Sequence, residues 1–176
     1  MWREIGTIAF LFFVGVALAS PEHQDEMRAI AFIESSSGTN FNHPVVKSGM
    51  HAGHQAAGKY GLMPLTIKDI ILKNSHLKSH YQKLANLKPK DITKIINRNE
   101  KLDKYLAMFL WKKLRTEFGP RRSAYAWYHG PSKARVASLE TIMNSEYVKK
   151  FSKEMENIKN ETEIKRTRPV GISASR

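Results

Sequence analysis

The sequence predicts an all-α, or nearly all-α, single domain. Apolar residues recur three and four positions apart in successive segments of the 176-residue chain, as helices with one buried stripe require. Proline or glycine punctuates the joins between these segments. Valine, isoleucine and threonine never alternate with polar residues for long, so no large sheet is expected, and no internal repeat is visible.

The first expected helix covers Glu22 to Glu34. It carries acidic residues in its first turn and sets Met27, Ile30, Ala31 and Ile33 on or near one face. Ser35-Ser36-Ser37-Gly38 stops it. A loop of about two dozen residues follows, from Gly38 to Gly61, with five glycines and three histidines. Loops this long in a compact domain are usually functional or disordered. A helix near Pro64 uses Ile67, Ile70 and Ile71, and another begins at Pro89 with Ile92, Ile95 and Ile96 buried. The longest pattern runs from Glu100 to Phe118 through Leu102, Leu106, Phe109, Leu110, Leu114 and Phe118. Gly119-Pro120 ends it, and it should be the spine of the core. Ser123 to Tyr128 reads as a short buried helix ending at Gly130-Pro131. The last helix spans Ser145 to Ile158 through Tyr147, Val148, Phe151 and Met155. Residues 159–176 are polar and basic without an apolar period, and are expected to be disordered.

At the start, an apolar run of about 15 residues, Ile5 to Ala19, is shorter than the roughly 20 that span a bilayer comfortably. Ala17-Leu18-Ala19 supplies the small-residue spacing of a cleavage site, so residues 1–19 are expected to be a signal peptide. Glu4 blunts the positive flank, which leaves an uncleaved membrane anchor as the alternative. The expected location is therefore the periplasm or the exterior, at the cell wall. Residues 22–158 form the expected domain. The absence of cysteine excludes a thiol nucleophile and every thiolate metal site. A formal charge of +13 attracts polyanions: nucleic acid, anionic lipid or an acidic wall. Export argues against nucleic acid as the partner. Membrane contact is expected only if the N-terminal segment is retained.

Glycosidic cleavage needs a protonated carboxyl beside the leaving oxygen. Glu34 closes an apolar helix behind Phe32 and Ile33, and small residues after it leave room for a ligand. Partial desolvation there would raise its pKa and keep a proton available. From position alone a solvated helical glutamate is the commoner reading. No aspartate or glutamate occurs between Ser35 and Lys68, so the adjacent loop offers no second carboxylate. A catalytic Glu34 would then act twice, as acid and then as base.

Glu34-Ser35, then Gly58-Lys59-Tyr60-Gly61-Leu62-Met63 with Pro64 and Thr66, then Trp127-Tyr128-His129-Gly130-Pro131, form an ordered set. It resembles the soluble lytic transglycosylase (SLT) family of the lysozyme superfamily, which shows E-S, then G-L-M-Q with P-x-T, then Y-N-x-G. Tyr147-Val148-Lys149-Lys150-Phe151 also resembles the way such domains end, and the likeness spans roughly Met27 to Phe151. The resemblance implies a single lysozyme-like, SLT-type helical domain that cuts peptidoglycan between N-acetylmuramic acid and N-acetylglucosamine. It implies that Glu34 protonates the glycosidic oxygen and then, as carboxylate, takes a proton from the muramyl 6-hydroxyl, closing a 1,6-anhydro ring. The N-acetyl group would assist at the anomeric carbon, so no second carboxylate is required. Ser35, Tyr60, Gly61, Leu62, Met63, Trp127, Tyr128 and His129 are implied to line the substrate site.

Pro64 stands where the family has Gln, and Trp127 and Tyr128 stand at its Tyr and Asn positions. These departures suit a lysozyme-type hydrolase, including one that prefers deacetylated, glucosamine-containing glycan. A glycan-binding module without activity is the reading from another class. His43, His51 and His54 lack acidic or thiolate partners nearby, so no metal and no cofactor is expected, and they are candidates for sugar hydroxyls instead. Trp111 falls in the core stripe, whereas Trp127 and Tyr128 flank a Gly-Pro turn and suit stacking on sugar. A monomer is expected.

Overall fold

The computed structural model describes residues 21–41 and 43–167. The expected signal segment, and the chain beyond Thr167, lie outside the described residues. Nine α-helices appear among those described: α1 (Pro21–Ser35), α2 (Pro64–Lys73), α3 (Ser75–Ala85), α4 (Pro89–Asn97), α5 (Glu100–Phe118), α6 (Pro120–His129), α7 (Pro131–Val136), α8 (Leu139–Asn144) and α9 (Glu146–Thr167). A 3-10 turn, Ser36–Gly38, follows α1. Strand pairing among the described residues is limited to two isolated bridges, Val45 with Gln55 and Ala57 with Leu62. The fold is all-α.

The spine is α5. Asn99 caps it by accepting from the Leu102 amide, and Glu100 and Asp103 place carboxyls in its first turn. Leu102, Leu106, Trp111 and Leu114 are buried along one stripe, with Phe109, Leu110 and Phe118 packed half-buried beside them. Met27, Ile30 and Ala31 of α1 and Tyr147, Val148, Phe151 and Ile158 of α9 complete this core, with α1 lying on α9 and α6 packed against both α5 and α9. Glu26 is buried inside it. Its carboxylate accepts from Trp111 Nε1 at 2.7 Å and pairs with Arg115 Nε at 2.9 Å, so the charge is matched and α1 is tied to α5.

Three helices, α3, α7 and α8, lie where the sequence pattern predicts none. In α3 only Leu77, Leu84 and Ala85 are buried among lysines, histidines and serines, so the stripe is too thin to show a period. At six residues each, α7 and α8 are shorter than two full turns. Two further expectations are corrected. Ile95 is exposed, because α4 turns only Ile92 and Ile96 fully inward. The last helix continues nine residues past Ile158 to Thr167, so the expected disorder does not begin at residue 159. There Arg28 of α1 meets Glu161 at 3.1 Å, a tie that hydropathy does not register.

Candidate active site

Glu34 sits in the last turn of α1, half-buried where α1, α6, α9 and the loop before α2 converge. Tyr147 of α9 donates its hydroxyl to Glu34 Oε1 at 2.8 Å, and the Trp127 side chain of α6 also hydrogen-bonds to the carboxyl. Burial is the dominant influence and lifts the Glu34 pKa from 4.5 to about 7, against the downward pull of those two hydrogen bonds. The Tyr147 phenol is fully enclosed, and burial together with the neighbouring carboxylate holds its pKa well above 10. It therefore acts as a fixed donor at any working pH.

Gly61 provides the opposite wall. A Cβ at this position would overlap Glu34 Oε2, and its φ of +65° is one that L side chains rarely adopt. The turn Gly58-Lys59-Tyr60-Gly61 is held from several sides. His43 Nε2 donates to the Gly58 carbonyl at 2.8 Å, and the Gly58 amide donates to Asn97 Oδ1 at 2.7 Å. Asp103 Oδ2 accepts from the Lys59 amide at 2.6 Å, and the Tyr60 amide bonds to the same side chain. Ser35 Oγ donates to the Lys59 carbonyl at 2.7 Å and accepts from the Gly38 amide at 2.9 Å. Asp103 is itself buried, Oδ1 has no partner, and desolvation raises its pKa to about 7. Its carboxyl fits directly against Gly58, where a Cβ would overlap it.

The expected site residues divide accordingly. Glu34, Gly61, Met63 and Trp127 are part-exposed, and Tyr128 is exposed. Tyr128 lies flat on Tyr147, ring centroids 4.9 Å apart and planes 17° from parallel. His129 is part-exposed but faces another cavity, of about 450 Å³, shared with Tyr125, Glu140, Thr141, Asn144 and Ser145. Burial and the Lys133 charge lower its pKa. Glu34 does not line this cavity, nor a second one of about 370 Å³ between α1, α5 and α9. Ser35, Tyr60 and Leu62 are buried, at 2 %, 5 % and 2 % exposure, and Tyr60 lines the second cavity. Ser35 instead spends its hydroxyl on the turn that carries Gly61. Burial pushes the Tyr60 phenol to about 12.

His43 is buried and committed to the Gly58 carbonyl. Among the described residues no three histidine, aspartate or glutamate side chains converge as metal ligands. Two site residues were not singled out from sequence. Tyr147 falls in the apolar stripe of the last helix and Asp103 in the acidic first turn of α5, so local pattern singles out neither. Only the placement of Tyr147 in a domain-ending motif pointed toward it.

No family model, no curated protein and no solved structure matches this chain.

Proposed function

We propose that this protein cleaves the glycan strands of peptidoglycan with Glu34 as its single acid and base. The observation that carries the reading is the Glu34 carboxyl in the last turn of α1, held by the Tyr147 hydroxyl at 2.8 Å and lifted by burial to a pKa of about 7. Such a group holds a proton in a large fraction of molecules at neutral pH and is also a competent base once the proton has left. Protonated Glu34 gives its proton to the glycosidic oxygen as the bond to the anomeric carbon breaks. The substrate's N-acetyl oxygen captures that carbon. Glu34, now a carboxylate, takes the proton of the muramyl 6-hydroxyl, whose oxygen closes the 1,6-anhydro ring. The acid is restored and no water is consumed.

Tyr147 supports this cycle because a fixed donor on Oε1 stabilises the carboxylate that forms midway. Gly61 supports it by closing Oε2 against backbone, which keeps the carboxyl in one orientation. Asp103, the other carboxyl with a raised pKa, is buried and engaged with the 58–61 turn, so it is unsuited to contact the sugar. The flat, exposed Tyr128 ring offers a stacking surface for a pyranose.

One observation favours a second outcome. Tyr128 occupies the position where the related motif has Asn, so a different group would face the substrate's amide. That suits hydrolysis by water and a taste for deacetylated sugar. Mass spectrometry of products from acetylated and deacetylated peptidoglycan separates the readings. Anhydro-muramyl ends support transglycosylation, reducing ends support hydrolysis, and intact strands from both substrates would overturn cleavage altogether.

A further inference from the structure

The surface around α7 and α8 has no role in the site described above. Val136 is 85 % exposed, Leu139 is 68 % exposed and Met143 37 %. Leu139 and Met143 lie one turn apart on α8, and only two residues separate Val136 from Leu139. Ile142 turns inward at 1 % exposure, while Glu140, Thr141 and Asn144 face the cavity beside His129. The outward side of α8 is therefore left apolar. Two cations border it: Arg121 Nη1 lies 3.7 Å from Met143 Sδ, and Lys133 stands exposed one turn before Val136 on α7. Of the nearby acids, Glu117 is taken by Arg135 at 2.7 Å, and Glu140 lies along the cavity.

We propose that this α7–α8 surface docks on an anionic lipid surface. Exposed large apolar side chains bordered by an arginine and a lysine match the two halves of a membrane interface. The apolar groups enter the acyl boundary and the cations meet the headgroup phosphates. An ordinary acidic protein would satisfy the cations but would gain little from Val136 and Leu139 standing so far into solvent. Nothing in this contact depends on the N-terminal apolar run, since it is made by the folded domain.

The absence of cysteine makes a local test direct. Leu139→Cys in the full chain accepts one environment-sensitive fluorophore, and Gln82→Cys on α3 serves as the reference position. With mixed phosphatidylcholine and phosphatidylglycerol vesicles, the label at position 139 should shift to the blue, while the label at 82 stays in water. Pure phosphatidylcholine should produce little shift at either position. Reversing Arg121 and Lys133 to glutamate should weaken the response about fivefold for each cation removed, before counting repulsion. Because the readout is local, adsorption through the N-terminal run alone leaves the label at 139 in water and overturns the proposal. So does a shift of equal size on neutral vesicles, or failure of the chain to bind vesicles at all.

Discussion

The Tyr147 hydroxyl reaches Glu34 Oε1 at 2.8 Å across 113 positions of sequence, joining the last helix to the end of the first. This contact decides how far the Glu34 pKa rises, because it opposes the desolvation that drives it upward. Tyr147→Phe deletes the donor and keeps the ring. The Glu34 pKa should then climb above 7, and the alkaline limb of the cleavage profile, set by loss of the acid's proton, should move to higher pH. The fold should lose about 0.5–1.5 kcal/mol, as for one hydrogen bond. A pH–rate profile identical to the parent's would show that this hydroxyl does not tune the acid.

Glu34→Gln tests the acid itself and has two readouts. Cleavage of sacculi should fall below detection, since the amide has no proton to give at this position. Stability should change in a pH-dependent way. The folded pKa, about 7, is above the unfolded value near 4.5, so the parent's stability contribution from this group is full below pH 4.5. It declines as pH rises to 7 and is flat beyond. Gln escapes that decline, so the variant should match the parent at pH 4 and exceed it at pH 8, by at most about 3 kcal/mol. Thermal melts at the two pH values measure the difference, and a variant less stable than the parent at pH 8 would contradict a desolvated Glu34.

Gly61→Ala separates backbone strain from a steric block. The new methyl would enter the space of Glu34 Oε2. Cleavage should fall at least tenfold as the carboxyl is pushed from its partners. Gly49→Ala is the control: its φ of +77° imposes similar strain, and its Cβ would meet nothing within 4 Å. Both variants should lose about 1–2 kcal/mol from the left-handed backbone, and only Gly61→Ala should lose turnover. Equal activity in the two would mean that the wall at Gly61 is not needed.

Much of this fold was legible because burial follows a helical period. The bounds of α5 follow from Leu102, Leu106 and Leu114 between an acidic first turn and Gly119-Pro120. The half-buried Glu34 was legible for the same reason, as a carboxyl closing an apolar stripe. What stayed hidden is long-range polar pairing. Glu26 with Trp111 and Arg115, Asp103 with the 58–61 turn, and Tyr147 with Glu34 each join segments that no local pattern relates. Motif neighbours differ in exposure: Ser35, Tyr60 and Leu62 are buried beside part-exposed Glu34, Gly61 and Met63, and Ser35 Oγ donates to the Lys59 carbonyl of the turn.

The three aromatic side chains Trp111, Trp127 and Tyr128 should separate when each is cut to alanine, because their surroundings differ in kind. Trp111 is fully excluded from solvent and donates to buried Glu26, so its removal opens a cavity and leaves the Glu26 carboxylate with Arg115 alone. A loss of about 3–5 kcal/mol from packing alone is expected, with an early melt. Trp127 is intermediate. It meets Trp111 edge-on at 5.9 Å and hydrogen-bonds to Glu34, so Trp127→Ala should lose stability and turnover together. Tyr128 is 63 % exposed, and its chief packing partner is the Tyr147 ring beneath it. Removing it should cost the fold little, whereas a sugar stacked on that ring would lose its platform. Tyr128→Ala should therefore melt near the parent temperature and cleave peptidoglycan several-fold more slowly, with the defect in KM. Thermal unfolding and cleavage kinetics on the three variants provide the comparison. If Tyr128→Ala unfolds as early as Trp111→Ala, the ring is a core element and the sugar must be held elsewhere. Should it stay folded with unchanged KM, stacking on Tyr128 is not part of substrate binding.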